Sequence, residues 1–284
     1  MFDTPAYNEW VDHRSWDEMI SFLMERFGAL SYGTLEPIED MEYTVVVEDG
    51  VGIGASTMRM AGDHNETTMH HEGEADVWVQ TVSYDNDGFA LEGYLVVPSD
   101  VASSDKRPAV VVLPDWDGVN GPTGYEAERA VMIAQEAGYV AMVADIYGTE
   151  YTNVDDFNKR VELATLYRSD PALFVGRIQA AIDQLVAHPN VDVDYIFVAG
   201  YCLGGTGAID FAFTEGLLTS VKAVVPIHGG LSPLREITTE SVDPYVLILS
   251  GGVDDAHGNT TELEAHLDGA NATWEISRYS SEYD

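Results

Sequence analysis

The only cysteine in the chain, Cys202, stands in Gly200-Tyr201-Cys202-Leu203-Gly204-Gly205, directly after the apolar run Tyr195-Ile196-Phe197-Val198-Ala199. A nucleophilic side chain on a sharp turn between a buried strand and a helix is a nucleophile elbow, here with sulfur in the serine position. Its flanking glycines lack Cβ atoms, so strand, helix and substrate can approach one another closely. The following helix aims unpaired amides at the same point, where they lower a thiol pKa and hold a developing oxyanion. The competing reading is a buried structural cysteine, which behaves as a small inert hydrophobe.

Presenting such a thiol requires a sheet behind it. From about Gln80 to Tyr279, strand and helix patterns alternate as an α/β, doubly wound, mostly parallel sheet demands. Leu91 to Val97 follows the turn Asp85-Asn86-Asp87-Gly88 and reads as a hairpin strand. Ala109 to Leu113 is a continuous β-branched run, hence a strand covered on both faces. Further strands are expected at Tyr139–Ala144, Ala223–Ile227, Tyr245–Ser250 and Trp274–Ser277. Helices are expected at Glu126–Ala137, Gly176–Ala187, from Thr206, and around Glu262–Leu267. In such a fold the chemistry gathers in loops at the carboxyl edge of the sheet.

Two of those loops carry candidates. Pro114-Asp115-Trp116-Asp117-Gly118-Val119-Asn120 follows the strand ending at Leu113; the backbone N–H of Trp116 can pair with that of Leu203 as an oxyanion hole, which brings Asp115 close to Cys202. Gly251-Gly252-Val253-Asp254-Asp255-Ala256-His257 follows Ser250. There Asp254, with Asp255 as fallback, can orient a histidine in the chain order nucleophile, acid, histidine. The plain alternatives are a solvated turn and an Asp-rich turn.

No histidine stands where that order requires one. His257 lies too near Asp254 in sequence, His266 falls in a helix, and the chain ends at Arg278-Tyr279-Ser280-Ser281-Glu282-Tyr283-Asp284. His13 reads as a surface position, His188 before Pro189 as a helix stop, and His228 as a structural hydrogen-bonding residue in a glycine turn. A chain that stops short of its base is expected to acylate slowly or once, not to turn over.

Composition narrows the partners. With 49 acidic and 13 basic residues the formal net charge is −36, and lysine occurs only at Lys106, Lys159 and Lys222. The charge disfavours nucleic acid and anionic membrane as partners. A lone cysteine among 284 residues forbids an internal disulfide and suits a reducing compartment. Neither a signal-like N-terminus nor a membrane-length apolar run is present, so a cytoplasmic location is expected.

Together these segments resemble the dienelactone hydrolase family of the α/β-hydrolase superfamily, from about Val82 to Asp284. The likeness rests on Leu91-Glu92-Gly93-Tyr94-Leu95, Ala144-Asp145-Ile146-Tyr147-Gly148, the elbow, His228-Gly229-Gly230-Leu231 and Gly251-Gly252-Val253-Asp254. It implies an α/β-hydrolase fold, Cys202 as nucleophile, Asp254 as triad acid and Asp115 as the acid touching the resting thiol. It also implies hydrolysis of a small ester or lactone without a cofactor or metal. One departure is visible: Thr149 follows Tyr147-Gly148 where founding members carry a substrate-binding arginine.

The segment Ala6-Tyr7-Asn8-Glu9 to Phe22-Leu23 is similar to the same family's final helix, so the chain reads as tail helix (1–30), connector with some strand (31–79), and hydrolase-like domain (80–284) lacking its histidine loop. A window from a tandem array, with neighbouring copies as partners, and a circular permutant both fit. A non-catalytic module of a larger protein is the alternative function. Within the connector, Gly50-Val51-Gly52-Ile53-Gly54 reads as a turn, and His64, His70, His71 and Glu72 as loop residues without metal-ligand spacing. The sequons at Asn65, Asn259 and Asn271 are read as idle.

Overall fold

β-branched and aromatic residues build a ten-stranded sheet among the described residues of the computed structural model, which are 9–27, 58–60, 66–69, 77–214, 221–237, 241–252 and 260–279. In chain order the elements are α1 (Glu9–Phe27), β1 (Met58–Met60), β2 (Glu66–Met69), β3 (Val77–Asn86), β4 (Phe89–Pro98), β5 (Arg107–Leu113), α2 (Tyr125–Met132), β6 (Val140–Val143), α3 (Phe157–Ser169) and α4 (Pro171–Val186). Then follow β7 (Val191–Tyr201), α5 (Leu203–Ala212), β8 (Val221–Ile227), β9 (Tyr245–Gly251), α6 (Thr260–Gly269) and β10 (Trp274–Tyr279). The strand order is β1-β2-β3-β4-β6-β5-β7-β8-β9-β10. β1 to β4 pair antiparallel, β4 also meets β6 antiparallel, and β6 through β10 pair parallel.

Alternation along the central strands sorts the core into two layers. Ala109, Val111 and Leu113 of β5 face a layer completed by α3, α4, α5 and α6, with Phe174, Ile178 and Ile209 at its centre. Val110 and Val112 face the other layer, formed by α1 and α2. Covering both faces is what a continuous apolar strand requires.

Helix α1 belongs to that second layer. Met19, Ile20 and Leu23 are buried there, each contributing about 1.5–3 kcal/mol on full burial. The Trp16 indole N–H donates to Glu136 at 3.0 Å, and the hydroxyls of Ser277 and Tyr279 on β10 donate to the Glu18 carboxylate. A segment far from the sheet in sequence therefore closes over its last strand.

Several boundaries move for local reasons. α4 begins at Pro171 rather than Gly176, because the Asp170 carboxylate accepts the Leu173 N–H at 3.0 Å and proline fits the first helical turn. α3, which the sequence pattern did not reveal, starts where Asp156 accepts the Lys159 N–H at 3.0 Å. Its apolar residues are shared between a buried side and the exposed Phe157, Val161 and Leu166, so no clean stripe marks it. α5 begins at Leu203, three residues before Thr206, which brings its first amides against Cys202.

Among the described residues no helix is long and apolar enough to cross a membrane, and no cluster of His, Cys, Asp and Glu could hold a metal ion. The expectations for Glu36–Asp40, Tyr43–Glu48, Gly50–Gly54, His64, Asn65, His70, His71, Glu72, Asn259, Asp254, Asp255 and His257 lie outside the described residues.

Candidate active site

Cys202 is the single residue between β7 and α5, with φ 49° and ψ −109°. A side chain in that left-handed region costs of order 1–3 kcal/mol and persists only where the surroundings impose it. Three backbone bonds impose it here. The Cys202 N–H donates to the Ile227 carbonyl at 2.9 Å, the Thr206 N–H to the Cys202 carbonyl at 3.1 Å, and the Gly204 N–H to the Pro114 carbonyl at 3.0 Å. The thiol is half-buried, which sets it apart from a cysteine entombed in the core.

The turn is tight enough that a methyl group on Gly200 would lie 2.3 Å from the Gly204 carbonyl oxygen. Gly200→Ala must therefore push strand and helix apart, costing about 1–3 kcal/mol as overpacking does. A lowered Tm together with slower reaction of Cys202 towards an activated ester is the expected result. An unchanged Tm and unchanged thiol reactivity would contradict this packing.

The loop 114–120 lies at the carboxyl end of β5, the strand beside β7. It is wound on its own polar groups. The Asp117 N–H donates to Asp115 Oδ1 at 2.8 Å, Asn120 Nδ2 to Asp117 Oδ1 at 3.0 Å, and the Tyr147 hydroxyl to the Trp116 carbonyl at 3.0 Å. The Trp116 ring stands edge-on to Phe157 at 5.6 Å, with the Arg160 guanidinium 5.9 Å from its centre. Neither the Trp116 nor the Leu203 N–H has an acceptor among the described residues, as an oxyanion hole awaiting its charge requires.

Two carboxyls, Asp115 in the loop and Glu126 in α2, titrate well above the usual carboxylate range. Glu126, in the first turn of α2, is 1% exposed, and its Oε1 accepts the Asp115 N–H at 3.2 Å. Burial pushes the Glu126 carboxyl up to about 7. Burial, with hydrogen bonding to Asp117 and the charge of Glu126, pushes Asp115 up to about 8. Asp117 has a cationic partner instead, Arg160 of α3 at 3.3 Å. Tyr147 links loop and elbow: burial first, then the charge of Asp115 and more weakly that of Cys202, raise its hydroxyl pKa. Asp115, Tyr147 and Cys202 thus share one locality.

A cavity of about 370 Å³ opens on the thiol, lined by Cys202, Arg168, Thr206, His228, Ser232 and Leu234 among others. Of the residues expected from sequence, Cys202, Leu203, Trp116 and Asp115 come together. Asp254 lies outside the described residues, although β9 ends at Gly251 on the same sheet edge, two strands from β7. His266 on α6 packs against Phe213 at 6.5 Å between ring centres, and it does not line this cavity. His188 takes the Asn190 N–H on Nδ1 at 3.3 Å, before β7 begins, and so serves structure. The His228 backbone N–H donates to the Leu249 carbonyl at 2.8 Å, and the residue also forms part of the cavity wall.

Sequence reading missed Arg168 and Glu126. Arg168 sits in the last turn of the unrecognised α3, and the Asp156 cap before it is the signal that could have found that helix. Glu126 reads as an ordinary acid in a first helical turn; only burial between Tyr125 and Ala127 distinguishes it.

The residue set can present a thiolate to a carbonyl carbon between two amide donors, which is acyl-transfer chemistry. The model of the dienelactone hydrolase family matches residues 91–283. A Bradyrhizobium sp. protein named "Probable 2-oxo-3-(5-oxofuran-2-ylidene)propanoate lactonase" is 30% identical over 116 residues, 41% of this chain and 45% of its own length. An uncharacterized Caenorhabditis elegans protein is 29% identical over 89 residues, 31% of this chain and 55% of its own. The chain thus spans about half the length of the curated relatives it matches. Among solved structures it is similar to the dienelactone hydrolase-like promiscuous phosphotriesterase P91 from metagenomic libraries, with 25% identity and a TM-score of 0.63, covering 72% of this chain and 82% of that one. A dienelactone hydrolase from Anabaena variabilis, at 19% identity and a TM-score of 0.51 over 71% of this chain and 85% of that one, shares the fold. With its mostly parallel sheet, its strand-turn-helix elbow and a family match over most of its length, the chain belongs to the dienelactone hydrolase family of α/β-hydrolases.

Proposed function

We propose that the protein is a cysteine-dependent hydrolase of small carboxylic esters or lactones. The observation that carries this reading is Cys202 itself, half-buried on a strained turn, at the first amides of α5 and open to a cavity. In this reading the Cys202 thiolate attacks the carbonyl carbon, and the Trp116 and Leu203 amides hold the oxyanion. The C–O bond then breaks to leave a thioester and release the alcohol; with a histidine in place, oriented by Asp254, water hydrolyses the thioester, and without one the chain acylates slowly or once. Protonated Asp115 next to the elbow can donate to the resting thiolate without opposing it as a second negative charge would. The reaction needs no cofactor, and a single cysteine in the sequence suits the reducing cytoplasm.

Iodoacetamide labelling of Cys202 across pH tests the reading, because alkylation follows the thiolate. A thiol pKa well below the free value of about 8.5 is expected. A value at or above it would instead make the chain a non-catalytic hydrolase-like module.

Arg168 supports a finer choice of substrate. Among the described residues no carboxylate pairs with it, although acids outnumber bases 49 to 13, and it lines the Cys202 cavity. We assign it to an anionic substituent on the ester or lactone, in line with the propanoate lactone in the name of the Bradyrhizobium relative. Arg168 thereby takes the place of an arginine after Gly148, where this chain has Thr149. A hydrogen bond to a charged group is worth about 1.5–3 kcal/mol, so Arg168→Met should raise KM for a carboxylate-bearing ester about 10- to 100-fold. KM for a neutral ester should stay unchanged; equal effects on both would remove Arg168 from this role.

A further inference from the structure

β7 and β8 end in the same way. Tyr201 pairs with Ile227 at the last rung, and the next residues, Cys202 and His228, both take positive φ, 49° and 53°. Each is pinned by an N–H bond to the end of the neighbouring strand, Cys202 to the Ile227 carbonyl at 2.9 Å and His228 to the Leu249 carbonyl at 2.8 Å. Adjacent strands lie about 4.8 Å apart, so the two side chains start from neighbouring points of one sheet edge. Both line the same cavity.

The turn bearing His228 is as firmly held as the elbow. The Gly230 N–H donates to the Thr206 hydroxyl at 2.8 Å, and a methyl group on Gly229 would lie 2.6 Å from the Gly205 carbonyl carbon. Such backbone strain in a residue that lines the cavity is a reason to look for a function there. Strand order adds a direction. β5, with the oxyanion loop, lies on one side of β7, and β8, with His228, on the other. An acyl carbon bonded to Cys202 with its oxygen toward Trp116 and Leu203 therefore has its remaining substituents free to face His228.

We propose that His228 is a catalytic residue of this site, the group that protonates the leaving oxygen as the thioester forms. The proposal rests on Cys202 being the nucleophile. The Cys202 thiolate, already ionised at rest, bonds to the carbonyl carbon while the His228 imidazolium stands at the leaving oxygen. As the C–O bond breaks, the imidazolium gives its proton to the departing oxygen. Thioester and alcohol are formed, and the neutral imidazole regains a proton from water.

The test separates proton donation from a structural role by leaving group. Para-nitrophenyl acetate releases a stable anion that needs no proton, whereas phenyl acetate releases a basic one. Acetylation of Cys202 in the full chain is followed by mass spectrometry for wild type and His228→Asn, since asparagine tolerates the left-handed backbone. General acid catalysis contributes typically 10²–10⁴-fold, so acetylation by phenyl acetate should fall about 10²-fold while that by para-nitrophenyl acetate falls far less. His228→Gly, which also suits positive φ, should give the same split. Equal slowing of both esters, or no slowing of either, would overturn the proposal while leaving Cys202 as nucleophile. Failure of the wild type to acetylate Cys202 with either ester would overturn the parent reading and this one with it.

Discussion

Cys202→Ala is expected to abolish ester cleavage, lowering the rate by about 10⁴-fold or more, as loss of a covalent nucleophile does elsewhere. The fold should survive the change. Alanine pays the same left-handed backbone cost as cysteine at φ 49°, and the side chain removed is half-buried at a cavity rather than locked in the core. Hydrolysis of a para-nitrophenyl ester and a Tm for the same preparation check both halves. Loss of activity with an unchanged Tm assigns the chemistry to the thiol, whereas retained activity would transfer it to another group. Cys202→Ser keeps the shape but replaces a readily ionised thiol by a hydroxyl, so a small residual rate is expected there.

Glu126→Gln is expected to flatten the dependence of stability on pH. In the folded chain Glu126 titrates near 7 and Asp115 near 8, whereas in the unfolded chain both release their protons near pH 4. The folded state therefore binds more protons than the unfolded state across this window. Stability is greatest below about pH 4, as far as these groups decide it, and is lost as pH rises toward about 8. For Glu126, 1% exposed, the raised pKa corresponds to about 3 kcal/mol lost over that window. Glutamine keeps an oxygen to accept the Asp115 N–H but carries no charge to ionise. Denaturant unfolding at pH 5 and pH 8 should show both proteins losing stability between the two, because Asp115 remains, with the variant losing less by about the share of Glu126. Parallel losses would mean that Glu126 is ionised at little cost in the folded protein.

How far the sequence could be read follows from what each signal depends on. The strand at Ala109–Leu113 was legible because burial on both faces leaves a continuous apolar run, although β5 begins two residues earlier, at Arg107. The elbow was legible because its geometry demands glycines at fixed offsets, and Gly200 would strike the Gly204 carbonyl if it carried a Cβ. α3 was hidden, since Phe157, Val161 and Leu166 point outward while Leu163, Ala164 and Tyr167 point inward, which blurs the helical period. With α3 went Arg168, so the cation of the cavity had no element to place it. His228 was visible as a residue in a glycine turn. Only the strand order, which sets β8 against β7, turned that residue into a neighbour of Cys202. Glu126 was legible as a helical acid, and its burial depended on how closely the loop 114–120 folds over it.

The docking of α1 shows the same dependence on tertiary structure. Its likeness to a terminal family helix lay in the sequence, but its seat against Glu136, Ser277 and Tyr279 is a property of the folded sheet. That seat is on the layer opposite the cavity-lining α3 and α5, so α1 supports the sheet from behind rather than lining the site.

The most direct measurement is to mix the full chain with para-nitrophenyl acetate, quench, digest and locate the acetyl group by mass spectrometry. One acetyl per chain is expected, on the peptide that carries Cys202, formed at the rate of nitrophenolate release and absent from Cys202→Ala. Nitrophenolate release with no acetyl on that peptide, or acetylation spread over other residues at the same rate, would contradict a thiol nucleophile at the end of β7.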